Sequence, residues 1–235
     1  MAEASGRNAA LVYYQTKGVI SFGWEGRKDF AVQEHGRGRG FVSERLDRKH
    51  SKGDLRAQES RQALASLQQF VGLDTGQDRK LLLSLIRFQA NLNMLIGPVL
   101  SQIGHLAKLD LLYLGFNLLS GSILEISRCL NLTYRYLHSN VITGNLPERF
   151  SWLISLQFVD FSNNLIEGPL SPSLESLSSL TKLIMKKNRF SGPIPSQIGS
   201  LEKLQLLDSS GNELSGNIPV SLGKIPTLEI TLNLG

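Results

Sequence analysis

Asn93, Asn117, Asn140, Asn164, Asn188 and Asn212 recur at steps of 24, 23, 24, 24 and 24 residues, and glycine stands four residues after each, at Gly97, Gly121, Gly144, Gly168, Gly192 and Gly216. A fixed period in this range marks a solenoid, in which one short unit stacks on copies of itself because no unit closes a core alone. Apolar residues keep register with this ladder. Eight residues before the asparagines stand Leu85, Leu109, Leu132, Leu156, Leu180 and Leu204, and two after them Leu95, Leu119, Ile142, Ile166, Phe190 and Leu214. Six after stand Val99, Ile123, Leu146, Leu170, Ile194 and Ile218, and thirteen after Leu106, Leu130, Leu153, Leu177, Leu201 and Ile225, which places the single 23-residue step between Leu130 and Leu132. The pattern predicts a coil whose leucines point inward and stack turn on turn. An asparagine amide offers two donors and an acceptor, so at a buried bend it can satisfy the backbone of adjacent turns. Glycine four residues on permits backbone angles that other residues resist.

Composition adds limits rather than chemistry. The net charge of +5 belongs mainly to the non-repetitive front, where residues 1–80 carry 14 lysines and arginines against 10 carboxylates. That balance reads as a charged segment, with nucleic acid as the weaker reading of the basic excess. Cys129 is the sole cysteine, so no intrachain disulfide forms. No apolar stretch approaches the roughly 18 residues of a membrane span, and the N-terminus lacks the basic start and apolar core of an export signal. Two domains are expected: a non-repeat extension, 1–80, and the repeat body, 81–235.

Units such as NRFSGPIPSQIGSLEKL (188–204) and NELSGNIPVSLGKIPTL (212–228) resemble the plant-specific leucine-rich repeat, NxLxGxIPxxLGxLxxL. The segments SRCLNLTYRYLHSNVITGNLPERF and VDFSNNLIEGPLSPSLESLSSLTKL are similar to the last repeats of plant receptor-like kinase ectodomains, above all the root meristem growth factor receptor group. The resemblance implies a leucine-rich-repeat solenoid with a curved parallel sheet and an irregular or 3-10 convex side. It also implies a secreted peptide ligand, a possible leucine-rich-repeat co-receptor, and a plasma-membrane or extracellular setting. The family's membrane helix and kinase do not occur in this sequence, which carries no HRD, DFG or VAIK segment, so the chain reads as a non-catalytic fragment of such an ectodomain. Cysteine in this family often lies inside the coil, which makes Cys129 a buried filler. Asn131-Leu132-Thr133 is a glycosylation sequon for a chain that enters the secretory path.

The extension falls outside the resemblance. Residues 54–72 have the spacing of an amphipathic helix, and LVYYQTKGVISFGWEG (11–26) reads as a short hairpin, set against poorly ordered chain over 1–50. GRGRG at 36–40 fails the nucleotide fingerprint because Phe41 stands where GxGxxG needs its third glycine, and it is short for an RNA-binding tract. His35, His50, His105 and His138 have no metal-ligand spacing, so no metal or cofactor is expected.

Alternate strand residues point away from the leucine core, so a binding surface is expected on the inner strand face. Its candidates are Arg87, Gln89, Tyr113, Tyr134, Tyr136, His138, Phe158, Asp160 and Lys182, which form either an aromatic, charge-dotted peptide groove or an ordinary hydrated sheet face. In peptide receptors of the resembling group, an RxR pair holds the ligand's C-terminal carboxylate; here Arg87 keeps the first place and Gln89 replaces the second. Arg135 and Ser209 stand where the strand pattern calls for buried leucine. The competing readings are a cell-wall hydrolase inhibitor with an acidic concave row, an intracellular RNA-contacting protein, and a non-functional gene fragment.

Overall fold

The computed structural model describes residues 11–16, 19–24, 85–91, 95–99, 101–226 and 228–232. Asn93, the helix read at 54–72 and the GRGRG segment lie outside these residues. A hairpin of β1 (Leu11–Thr16) and β2 (Val19–Trp24) comes first in the chain. Each repeat then supplies two short strands. They are β3 (Arg87–Gln89) with β4 (Ile96–Pro98), β5 (Leu111–Tyr113) with β6 (Leu118–Ser120), and β7 (Tyr134–Tyr136) with β8 (Thr143–Asn145). There follow β9 (Phe158–Asp160) with β10 (Leu165–Pro169), β11 (Lys182–Ile184) with β12 (Arg189–Pro193), and β13 (Leu206–Asp208) with β14 (Glu213–Ser215); β15 (Glu229–Thr231) opens the next turn.

The first strand of every repeat joins one sheet in the order β1-β2-β3-β5-β7-β9-β11-β13-β15, parallel throughout from β2 onward. Within the hairpin read at 11–26, residues 11–16 and 19–24 pair antiparallel, and β2 pairs the edge that β3 would otherwise leave open. The second strands make a flanking parallel sheet, β8-β10-β12-β14, with β4-β6 beside it as a separate pair. Short 3-10 helices return the chain on the far side, as the plant-type repeat implies.

The asparagines do what their register predicts. Asn164 Oδ1 accepts from the Ile142 N–H at 3.0 Å, while its Nδ2 donates to Leu137 O at 3.0 Å and Phe161 O at 2.9 Å. Asn117, Asn140, Asn188 and Asn212 repeat this set, each reaching back to the preceding turn and to the carbonyl three residues before itself. Each of these five ladder amides is therefore satisfied while tying two turns together. The bend requires a left-handed residue just before the asparagine, filled by Phe116, Ser139, Asn163, Lys187 and Gly211 at φ of 54–66°. The glycine four residues after it is left-handed too, at φ 71° for Gly121 and 82° for Gly168.

The inward leucines form one continuous core, with two corrections to the sequence register. Leu130 is 51% exposed; Cys129, 1% exposed, takes the inward place instead. The 3-10 helix of that repeat, Glu125–Arg128, has four residues where the others have five, so the residue is lost within the helix, ahead of Cys129. The Cys129 N–H accordingly caps its helix on Ile126 O as the Leu153 N–H does on Phe150 O. Ile218, on the last full turn described, is also 51% exposed.

Arg135 occupies the central position of β7, between Leu112 and Val159 on the neighbouring strands. It is fully buried: Nη2 donates to Ile126 O at 2.8 Å, the guanidinium lies 5.3 Å from the Phe150 ring centre, and Nε and Nη1 have no partner among the described residues. Ser209 Oγ is likewise buried without a partner. Burial pushes the Arg135 guanidinium down to about 9, with Cys129 opposing, and burial pushes the Cys129 thiol up to about 11. A buried, half-satisfied cation costs more than the leucine it displaces, so Arg135→Leu should raise the unfolding free energy by about 1–3 kcal/mol. Unfolded arginine keeps its proton to higher pH than the folded residue, so this cost is present in full below about pH 9 and is relieved as pH rises past it. Cys129 titrates in both proteins, so urea melts of parent and variant from pH 7 to 10 should show the variant more stable, with a gap that narrows at the alkaline end. A less stable variant would contradict this reading of β7.

Candidate functional site

The strand register sorts the outward side chains into lateral rows. One runs Arg87, Leu111, Tyr134, Phe158, Lys182, Leu206 and Glu229; the next runs Gln89, Tyr113, Tyr136, Asp160, Ile184, Asp208 and Thr231. Eight of the nine side chains proposed from sequence as ligand contacts therefore lie on one face of one sheet, because period-two alternation fixes their direction, while His138 stands two residues beyond the end of β7. Within it, only part forms a contiguous cluster. Tyr113 and Tyr136 stack with ring centres 4.9 Å apart, and Tyr136 meets Phe158 at 4.7 Å, spacings that match the roughly 4.8 Å between strands. Tyr134 lies at the margin, its hydroxyl 3.3 Å from Gln157 Oε1. Arg87 and Lys182 stand exposed on β3 and β11 at either side, and Gln89 is half-buried on β3.

His138 extends the cluster below Tyr136. Its ring contacts Tyr113 at 5.9 Å and Tyr136 at 6.5 Å, and it rests on Gly115, where an added Cβ would come within 2.7 Å of the imidazole. Only glycine leaves room for that ring. The imidazole is consequently packed, not splayed into solvent as a strand-face histidine would be expected to sit. His138 Nδ1 lies 3.4 Å from Asp160 Oδ2, close enough for electrostatic contact, yet Nδ1 forms no hydrogen bond among the described residues. Asp160 Oδ1 is held by the Ser162 N–H at 2.8 Å, which fixes the carboxylate's rotamer. Burial above all, with Tyr113, Tyr134 and Asp160 adding, raises the pKa of the Tyr136 hydroxyl, so the ring stays neutral.

Phe116 was not foreseen as part of the site. Its ring stands edge-on to His138 at 4.9 Å, carried there by the left-handed bend before Asn117. The signal available in the sequence was its position directly before a ladder asparagine. A second charged contact, Lys186 Nζ to Asp208 Oδ2 at 3.8 Å, lies two strands further on. The sequon residue Asn131 is exposed on the other side of the coil, its amide donating to Ala107 O. No group of side chains suited to a metal ion occurs among the described residues, and none of their helices is long and apolar enough to cross a membrane.

Three segments, 155–177, 179–201 and 203–225, match the family model described as Leucine Rich Repeat. The ectodomain of the receptor kinase SOBIR1 from Arabidopsis thaliana is 35% identical over 57% of this chain and 72% of that one, with TM-score 0.51. This chain belongs to the leucine-rich-repeat family. The plant peptide hormone receptor RGFR1, solved in complex with RGF2, is similar at 30% identity and TM-score 0.63, covering 67% of this chain and 26% of that one. A plant ice-binding protein is similar at 28% identity and TM-score 0.57, covering 68% and 52%. The leucine-rich-repeat chain thus spans about a quarter of the receptor structure it resembles. No curated protein matches the sequence. One repeat architecture serves both receptor ectodomains and an ice-binding protein, so the site rather than the fold has to decide the function.

The Gly115 seat is directly testable. Gly115→Ala in this leucine-rich-repeat sheet should cost less than about 1 kcal/mol, since a side chain and not backbone must yield, while displacing the imidazole from Asp160. NMR of the His138 ring should show shifted resonances and lost contacts to Tyr113. Unchanged ring resonances would mean that His138 does not rest on Gly115.

Proposed function

We propose that this chain is a non-catalytic binding module whose concave sheet face holds an extended peptide, or a peptide-like segment of a protein partner. The observation that carries the reading is the aromatic file Tyr113, Tyr136 and Phe158, with His138 and Phe116 beside it, on the outward side of a sheet whose core lies entirely on the other side. Outward aromatic rings contribute nothing to the leucine core, and half-exposed rings in a contiguous group are what protein and peptide interfaces use as anchors. Parallel strands with fixed lateral spacing give such a ligand a regular succession of contacts.

The similarity to plant receptor ectodomains, RGFR1 with its bound RGF2 among them, supports the narrower reading of signal perception: a secreted peptide as ligand, a co-receptor as second partner, an extracellular setting, and Asn131 as a glycan site. On that reading Arg87 contributes a single guanidinium fork toward a ligand carboxylate, with Gln89 beside it in place of a second. The hydrolase-inhibitor reading needs a continuous acidic row, whereas Asp160 and Asp208 share their row with Ile184 between them and each lies against a cation or histidine.

Selection from a random peptide display library on the purified chain tests the proposal. Enriched peptides should bind the parent and lose about tenfold or more in affinity to Tyr136→Ala, while Lys203→Ala, on the return side of the coil, leaves them unaffected. Peptides that bind the parent and Tyr136→Ala equally, or no enrichment at all, would remove the concave face as the binding surface.

A further inference from the structure

Resting on the reading above, we infer that the Tyr113–Tyr136–Asp160 corner of the concave face is a subsite for a cationic side chain, the arginine or lysine of a bound peptide. Three observations on the described residues converge there. First, Asp160 Oδ2 makes no hydrogen bond, and the adjacent His138 Nδ1, buried and 3.4 Å away, makes none either. Nδ1 has no accessible surface and lies against the carboxylate, so the acceptor left for a ligand is Oδ2, which a donor bearing several N–H groups would satisfy. Second, Tyr136 is the register partner of Asp160 and Tyr113 stands next along the same row, and electron-rich ring faces attract a cation held within about 6 Å. Third, Asp160 is the sole carboxylate among the outward residues of β3, β5, β7 and β9, Arg87 sits three strands from it on the other row, and on the adjoining β11 the residue beside Asp160 is Ile184, with Lys182 exposed on the other row. No lysine or arginine therefore shares a row position next to Asp160.

The pieces place the ligand group in a defined way. The Ser162 N–H pins Oδ1, turning Oδ2 toward His138, and Gly115 lets the imidazole sink so that Nδ1 stays level with Oδ2. A guanidinium donating to Oδ2 would have its plane alongside the Tyr136 ring, and its planar fork suits this corner better than an ammonium does. The aliphatic stem would run over Phe158, which packs against Tyr136. Asp208 has no equivalent role, because its Oδ1 already accepts from the Ser210 N–H and Oγ and its Oδ2 faces Lys186.

The test uses the display-selected peptides and two substitutions of the full chain, Asp160→Asn and Tyr136→Leu, each checked by thermal melt. Asp160→Asn keeps an oxygen for the Ser162 N–H and removes only the charge. The parent should enrich peptides with arginine or lysine at one fixed position. Replacing that residue by norleucine should weaken parent binding about tenfold, and the same replacement should make little difference to Asp160→Asn or, more partially, to Tyr136→Leu. Enriched peptides without a recurrent basic position, or a basic residue whose replacement costs the same in parent and Asp160→Asn, would overturn the subsite and leave the peptide-binding reading standing. A selection that enriches nothing would overturn both.

Discussion

The hydrogen-bonded asparagine at each bend is the interaction on which the rest of the structure depends. A three-residue strand is far too short to hold a sheet by itself, and the coil turns sharply after each one. The bend leaves backbone N–H and C=O groups pointing into the core, where water cannot reach them. Each asparagine answers three of these at once, two in its own or the preceding turn's carbonyls and one in the preceding turn's amide. Because the bonds cross from turn to turn, they set the lateral register of the sheet. That register is what brings Tyr113, Tyr136 and Asp160 into one row and Phe158 beside them.

The same scaffold explains which irregularities are tolerated. A residue lost from the 3-10 helix before Cys129 is absorbed by shortening that helix, because the return side of the coil carries no fixed lateral pairing there. Arg135 and Ser209 are different, since both sit in strand positions that the ladder holds inward. Neither side chain can turn out to water without breaking the register, so each remains buried with unmet polar atoms. Their cost is local and does not reach the concave rows, which lie across the sheet from them.

Much of this was legible in the sequence because period and alternation are backbone properties. The 24-residue spacing placed the six inner strands β3, β5, β7, β9, β11 and β13, and alternation within each strand assigned Tyr113, Tyr136, Phe158 and Asp160 to the outward face. Leu130 was misplaced because an asparagine-to-asparagine count cannot say where inside a repeat a residue has been dropped; only the helix cap on Cys129 shows it. The site's finer geometry was not legible either. Nothing in the spacing says that Gly115 is a seat for His138 or that the left-handed bend swings Phe116 against it, since both depend on side-chain volume between neighbouring turns.

Removing one rung tests the account most directly. Asn164→Ala strips partners from the Ile142 N–H and from the carbonyls of Leu137 and Phe161, all within the core. Urea unfolding should show a loss of roughly 2–4 kcal/mol, and hydrogen exchange should show the Ile142 amide deprotected while the equivalent amide of Phe190, held by Asn212, stays slow. An Asn164→Ala chain that unfolds like the parent and keeps the Ile142 amide protected would contradict the ladder as the element that holds the turns in register.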